Sequence, residues 1–312
     1  MDKYVLSSSP HVRSAETTGS IMRDVIIALL PATVLGIVFF GLSALWVVLV
    51  SVAAAIATEA ILQLLMKKKV TVSDGSAAVT GLLLALNLPP SVPLYIPVIG
   101  SVFAIAIVKQ CFGGLGHNFI NPALAARAFL VASWLPAMTT WTMPADAVSA
   151  ATPLAALKVA GAGAPSPYLD MFLGNVGGCI GETSAIALIV GGLYLVVRRV
   201  IDPRIPFVYI ATVAVFMWAV GPEGVFTGDA LYHILAGGLM LGAFFMATDY
   251  ATSPMSASGK VVFAFGCGVL TSVIRLWGGY PEGVSYSILL MNLVVPLIDR
   301  AFQPKRFGGV RA

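Results

Sequence analysis

Apolar residues occur along this chain in long unbroken stretches, separated by short polar clusters that often contain Gly or Pro. Few of these stretches show the polar face of a helix half in water. Read as runs and breaks, the pattern predicts ten helices, at approximately 24–42, 44–66, 75–88, 93–112, 117–135, 179–197, 205–220, 230–248, 260–277 and 284–301. The third and seventh are short. The third stops at Asn87-Leu88-Pro89-Pro90. A proline pair ends a helix, so this span is expected to be broken or re-entrant and to line a cavity.

Charge then orients the spans. With the N-terminus in the cytoplasm, 15 of the 18 basic residues fall on the cytoplasmic side, leaving Arg127, Lys158 and Arg275. Positive charge concentrates on the cytoplasmic side of membrane proteins, so both termini are expected there. The 136–178 loop and the start of the sixth helix then face outward. That loop separates residues 1–135, the first five-helix half, from 179–312, the second. An odd number of spans per half inverts the second, so the fold class expected is an all-α polytopic membrane protein built from two inverted repeats. Gly81-Leu82-Leu83-Leu84 resembles Gly238-Leu239-Met240-Leu241, each before a polar, proline-containing break.

Composition agrees, with 58% hydrophobic and 10% charged residues excluding an ordinary soluble globule. The polar first 20 residues hold no apolar run of a cleavable signal. A net charge of +4 is spread beside the spans, which argues against a nucleic-acid partner. Cys111, Cys179 and Cys267 lie far apart with no C-x-x-C pair, so no metal or cluster ligand set is expected.

Chemistry enters at Gly177-Gly178-Cys179-Ile180-Gly181-Glu182-Thr183-Ser184-Ala185. A threonine at the start of an apolar helix, after a glycine-rich loop, is expected to expose its hydroxyl at the outer face. Free N–H groups and the positive helix end there suit a phosphate ester. The alternative is an ordinary N-cap with a flanking acid. Arg127 lies near the middle of the fifth span and needs an intramembrane partner, either a cofactor group or Glu59. His117, Asn118 and Asn121 are spaced to share its helix face. Lys109 and Arg275, near span ends, are expected to snorkel. Asp74 and Asp249 sit beside short or broken spans at the cytoplasmic face, as helix caps or as part of an ion or cofactor site.

Seven motifs in one order carry a resemblance along nearly the whole chain. They are Ser9-Pro10-His11-Val12-Arg13 with Met22-Arg23-Asp24-Val25, Asp74-Gly75-Ser76-Ala77 to Asn87-Leu88-Pro89-Pro90, and Gly116-His117-Asn118-Phe119-Ile120-Asn121-Pro122-Ala123. Gly181-Glu182-Thr183-Ser184-Ala185, Met246-Ala247-Thr248-Asp249-Tyr250 and Gly279-Tyr280-Pro281-Glu282-Gly283-Val284-Ser285-Tyr286 complete the set. The chain resembles the D subunits of the Rnf electron-transport complexes, and more distantly the B subunits of the sodium-pumping NADH:quinone oxidoreductases.

The resemblance implies flavin mononucleotide (FMN) joined by a phosphoester to Thr183, with Gly181, Glu182 and Ser184 around it. It also implies a non-covalent riboflavin toward the cytoplasmic side. Asn118, Asn121 and Arg127 are the expected lining of an intramembrane site, and Asp74 and Asp249 of the cytoplasmic one. The implied role is a flavoprotein subunit of an ion-translocating ferredoxin:NAD oxidoreductase in the bacterial inner membrane. The other Rnf subunits (A, B, C, E and G) are its implied partners, and sodium or protons the exported ion. No general acid, nucleophile or metal is apparent; the chemistry would belong to the flavin. Two rivals fit the pattern without the resemblance, a carrier or channel for a small polar solute and a cofactor-free redox scaffold.

Overall fold

The computed structural model describes residues 16–144, 151–158, 166–221 and 224–303. Lys3, the Ser9–Arg13 motif, Lys305, Arg306 and Arg311 lie outside the described residues. The chain is mostly helical, and every predicted apolar stretch carries helix. Among the described residues, four helices are long and apolar enough to cross a membrane alone: α1 (Thr18–Phe40), α2 (Leu42–Leu65), α13 (Ala257–Trp277) and α14 (Val284–Ala301). A two-residue ribbon, β1 (Val220–Gly221) against β2 (Gly224–Val225), is the one strand pair among the described residues.

Helix α1 starts six residues before the apolar run. Thr17 and Ser20 form a reciprocal capping box: the Thr17 hydroxyl accepts from the Ser20 N–H, and the Thr17 N–H donates to Ser20 Oγ. Gly41, at φ +71°, lets the chain reverse directly into α2. Helix α3 (Ser76–Leu86) is a half-span, as its Pro-Pro terminus predicts. The next apolar stretch is α4 (Tyr95–Val102) continuing as a π-helix over Phe103–Gln110. Beyond it come α5 (Pro122–Ser133), α6 (Leu135–Met138), α7 (Pro153–Lys158) and α8 (Tyr168–Leu173). The second half continues with α9 (Ala185–Val197), α10 (Arg204–Ala219), α11 (Ala230–Leu235) and α12 (Leu239–Leu241), the last extended by a π-turn over Gly242–Met246.

Three predicted spans are corrected. The fifth begins at Pro122, not near 117. The sixth begins at Ala185, not 179. The eighth is interrupted at Ala236-Gly237-Gly238. In the sixth and eighth, protein partners take up part of the irregular backbone that lipid could not. Carbonyls freed by the end of α3 accept from the second half: Gly181 N–H to Leu86 O at 2.8 Å and Ile180 N–H to Leu88 O at 3.1 Å. Where the interrupted eighth span ends, Met246 O accepts from the Asn121 side chain at 3.2 Å.

Close helix approach comes from small residues, the usual packing device in membranes. A Cβ on Gly191 of α9 would lie 2.0 Å from Ala28 O of α1, so these first helices of the two halves touch backbone to backbone. Buried hydroxyls tie each half internally. Ser51 donates to Gly81 O and Ser101 to Ser51 O in the first. In the second, Tyr209 bonds Thr271 and Ser287.

Candidate functional site

Residues 176–184, leading into α9, are all buried, and Gly181 is required among them. A Cβ there would stand 2.5 Å from the Leu86 side chain while the Gly181 N–H holds Leu86 O. Ser184, with extended backbone, caps α9 by accepting from the Ala187 N–H. The capping role therefore belongs to Ser184, and Thr183 lies one residue outside the helix. The backbone N–H groups of Thr183, Ser184, Ala185 and Ile186 meet no acceptor among the described residues, which leaves a set of donors for an anion.

Thr183 is not exposed as expected; only 2% of its surface is accessible. Thr152 and Pro153 at the start of α7, together with Ala236 and Gly237 from the break in the eighth span, close over it. The gap they share with Thr183 and Gly178 is about 10 Å³, room for one water at most. Burial arises from packing between segments distant in sequence, so the local motif carries no sign of it.

Beside Thr183, Glu182 joins a charge cluster centred on Arg127. The guanidinium donates to Glu182 Oε1 and Asn87 Oδ1, each at 2.8 Å, to Cys179 Sγ at 3.5 Å, and to Glu282. Arg127 is 7% exposed. It joins α5, the end of α3 and the loops before α9 and α14. The expected partner Glu59 is not among its contacts. Cys179, Glu182 and Glu282 lie close enough to suggest metal ligands, but Arg127 already contacts all three. A planar five-donor cation fits this divergent set of acceptors.

Arg127 and Glu282 also form part of the wall of a cavity of about 490 Å³. Trp141, Tyr280 and Tyr286 line it, together with Ala151 and Ala155 of the α7 segment. Its size and its aromatic walls with one charged patch match a site for a planar ring. Glu282 is a functional candidate that sequence reasoning passed over. It stood inside the Gly279–Tyr286 motif, as a lone acid next to an apolar run.

Asn118 and Asn121 do not share a helix face with Arg127. His117 is exposed on the loop before α5, and Asn118 lies on the same loop. Asn121 is the N-cap, accepting from Ala123 and Leu124 N–H groups. Both asparagines open instead onto a second cavity of about 100 Å³, shared with Ser76, Lys109, Thr248 and Asp249. Asp249 accepts from the Thr252 hydroxyl. Asp74 is outside this lining; its carboxylate holds the Ser76 N–H and hydroxyl at 2.8 and 2.7 Å, a local cap.

Lys109 and Arg275 do not snorkel. Lys109 is 2% exposed and donates to Glu59 Oε2 at 2.8 Å and Ser76 Oγ at 2.7 Å. Gln63 and Gln110 add donors to the same carboxylate. Arg275 is buried and donates to the carbonyls of His233, Ala236 and Glu282, holding the interrupted eighth span in place. A lone acid in α2 and a lone base in the fourth span were the available signal, since charges at that depth need each other.

This pairing predicts non-additive mutations. Glu59→Gln or Lys109→Met alone leaves one buried charge and should cost about 3–5 kcal/mol, read as lost folded yield and melting temperature in detergent. The double variant should recover most of the loss. Equal or larger destabilisation in the double would show that the pair is not coupled.

The family profile described as NQR2, RnfD, RnfE matches residues 5–308. Among similar proteins, the D subunit of the Na(+)-translocating ferredoxin:NAD(+) oxidoreductase complex of Acetobacterium woodii is 57% identical over 309 residues, covering 98% of this chain and 95% of that one. The D subunit of the proton-translocating ferredoxin:NAD(+) oxidoreductase complex of Clostridium ljungdahlii is 51% identical, covering 99% and 97%. The D subunit of the ion-translocating oxidoreductase complex of Stutzerimonas stutzeri is 42% identical, covering 92% and 91%.

Proposed function

The chain belongs to the NQR2, RnfD, RnfE family, and from that premise we propose that it is a flavin-carrying, multi-pass membrane subunit of a redox-driven ion pump. Its relatives are named as D subunits of ion-translocating ferredoxin:NAD(+) oxidoreductases. Electron transfer and ion transport within a multi-subunit membrane complex follow for this chain, with the other Rnf subunits as partners. The enzyme is the complex; no separate activity is assigned to this chain.

Thr183 is the proposed attachment point for FMN. The observation carrying this reading is the set of four unsatisfied N–H groups at the head of α9, beside a hydroxyl in the Gly-Glu-Thr-Ser motif. Those donors and the helix dipole suit a phosphate. Arg127 offsets the adjacent negative charge of Glu182. Bound there, the flavin would supply one- and two-electron chemistry. The residues of this chain orient it, shield it from water and set the charge around it. Intact mass of the denatured chain tests the reading: an added FMN phosphoester is expected, and a bare polypeptide mass from a complex active in electron transfer would refute it.

The ten-span, inverted-repeat arrangement is proposed with both termini cytoplasmic. Contacts at the two ends of the helix bundle support it. Tyr168 meets Asp229 at one end, while Lys260 meets Asp202 and Arg198 meets Asp24 at the other. Cysteines placed at Tyr168 and Lys260 should label from opposite sides of the membrane. Labelling of both from one side would remove the repeat along with the topology.

A second ligand is proposed near Asp249, in the 100 Å³ cavity. That volume is below the range of cofactor pockets, so the residues as packed do not fit a riboflavin ring. They suit an ion or a small polar group. A count of flavins released from the denatured chain decides between them.

A further inference from the structure

We infer that α7 is a lid over Thr183, and that it must lift before the hydroxyl can be modified. The inference rests on the reading of Thr183 as the flavin attachment residue. A gap of about 10 Å³ around Thr183 admits neither a phosphate donor nor a transferase side chain. The short α7 segment is what separates this gap from larger space. Thr152 and Pro153 face the gap, whereas Ala151 and Ala155 face the 490 Å³ aromatic cavity. Lifting α7 therefore opens Thr183 and removes the partition between it and a cavity large enough for a flavin ring.

The lid is held by three separable contacts. Leu154, 3% exposed, packs with Met171, Val176, Tyr232 and Ala236 and sits against Gly237. A Cβ on Gly237 would be 2.8 Å from Leu154, so the seat exists because that residue has no side chain. The Tyr232 hydroxyl donates to Pro153 O at 3.1 Å. At the other end, Lys158 Nζ donates to the carbonyls of Gly278 at 2.6 Å, Tyr280 at 2.9 Å and Ile274 at 3.3 Å, latching α7 to the end of α13. The seat is short: Thr152, Pro153 and Leu154 are buried, Ala155 and Ala156 are half-buried, and Leu157 and Lys158 at the far end are exposed. Such segments open locally at low cost compared with global unfolding.

The modification balances with a flavin dinucleotide as donor. The Thr183 oxygen bonds to the phosphorus on the flavin side, the P–O–P anhydride bond breaks, and AMP leaves. The hydroxyl proton passes to a base on the transferase. No oxidant or reductant is required.

The test uses the full-length chain, made without flavin transferase, purified in detergent and then mixed with purified transferase and flavin adenine dinucleotide. The initial rate of appearance of a fluorescent band in denaturing gels is recorded for wild type, Lys158→Ala, Leu154→Ala and Tyr232→Phe. Weakening the latch should raise the rate about five- to tenfold in Lys158→Ala, and at least about tenfold in Leu154→Ala, which removes a buried apolar side chain. Tyr232→Phe, which removes only a hydroxyl, should give about a two- to fivefold rise. The final yield should stay at one flavin per chain. Wild-type rates in Tyr232→Phe and Lys158→Ala, with melting curves unchanged, would overturn the lid. Thr183→Ala separates the two claims. A band that survives in it, or no band in any chain, refutes the attachment reading; a Thr183-dependent band that forms equally fast in every variant refutes only the lid.

Discussion

Replacing Thr183 by Ala should abolish the flavin fluorescence of the denatured chain completely, while the protein still inserts and purifies at wild-type yield. The effect is all or none because a covalent bond needs its oxygen. The structure explains why the neighbouring hydroxyl cannot substitute. Ser184 Oγ is already engaged as the N-cap of α9, accepting from the Ala187 N–H. Ser184→Ala should therefore keep the flavin and lose about 1 kcal/mol of stability, the usual value of a cap. Glu182→Gln removes a negative charge beside the phosphate and leaves Arg127 paired with Glu282, so it should also keep the flavin. Fluorescence retained in Thr183→Ala and lost in Ser184→Ala would place the bond on the wrong residue here.

Arg127→Ala should be the most damaging single change to folding. It leaves the carboxylates of Glu182 and Glu282 buried without a counter-charge, and strands the acceptor of Asn87. Breaking a buried ion pair from one side costs about 3–5 kcal/mol, a large share of the 5–15 kcal/mol that typically holds a domain folded. The expected result is aggregation in size-exclusion chromatography and no incorporation of flavin. Arg127→Lys should rescue only part of the yield. An ammonium cannot reach acceptors spread over three segments with the geometry of a planar fork. Combining Arg127→Leu with Glu182→Gln and Glu282→Gln should restore folding, since the uncompensated charge is then gone. A fully folded, active Arg127→Leu single variant would show that the cluster does not bear on either property.

Much of the architecture was readable locally. Runs of apolar residues placed helix at every predicted stretch, because hydropathy over about 20 residues is a property of the segment alone. Asn87-Leu88-Pro89-Pro90 announced the half-span α3 for the same reason, since proline blocks a helix whatever surrounds it. Depth also showed that Arg127 needs partners. The sequence motifs, taken together, pointed to the family that the profile and the relatives establish.

What the sequence could not reveal is which groups meet. Arg127 takes partners 40, 55 and 155 residues away, and nothing in the spacing distinguishes Glu182 and Glu282 from Glu59. Lys109 and Arg275 looked free to reach water because they lie near span ends, yet packing of neighbouring segments closes over both. The late starts of α5 and α9 have the same origin: hydropathy marks residues that avoid water, but a buried loop avoids water as well as a helix does. Once carbonyls and N–H groups from the other half satisfy its backbone, the loop need not be helical. Thr183 is the sharpest instance. Its motif and its place before a helix are local and were legible. Its burial under α7 belongs to tertiary packing, and depends on an absent side chain at Gly237.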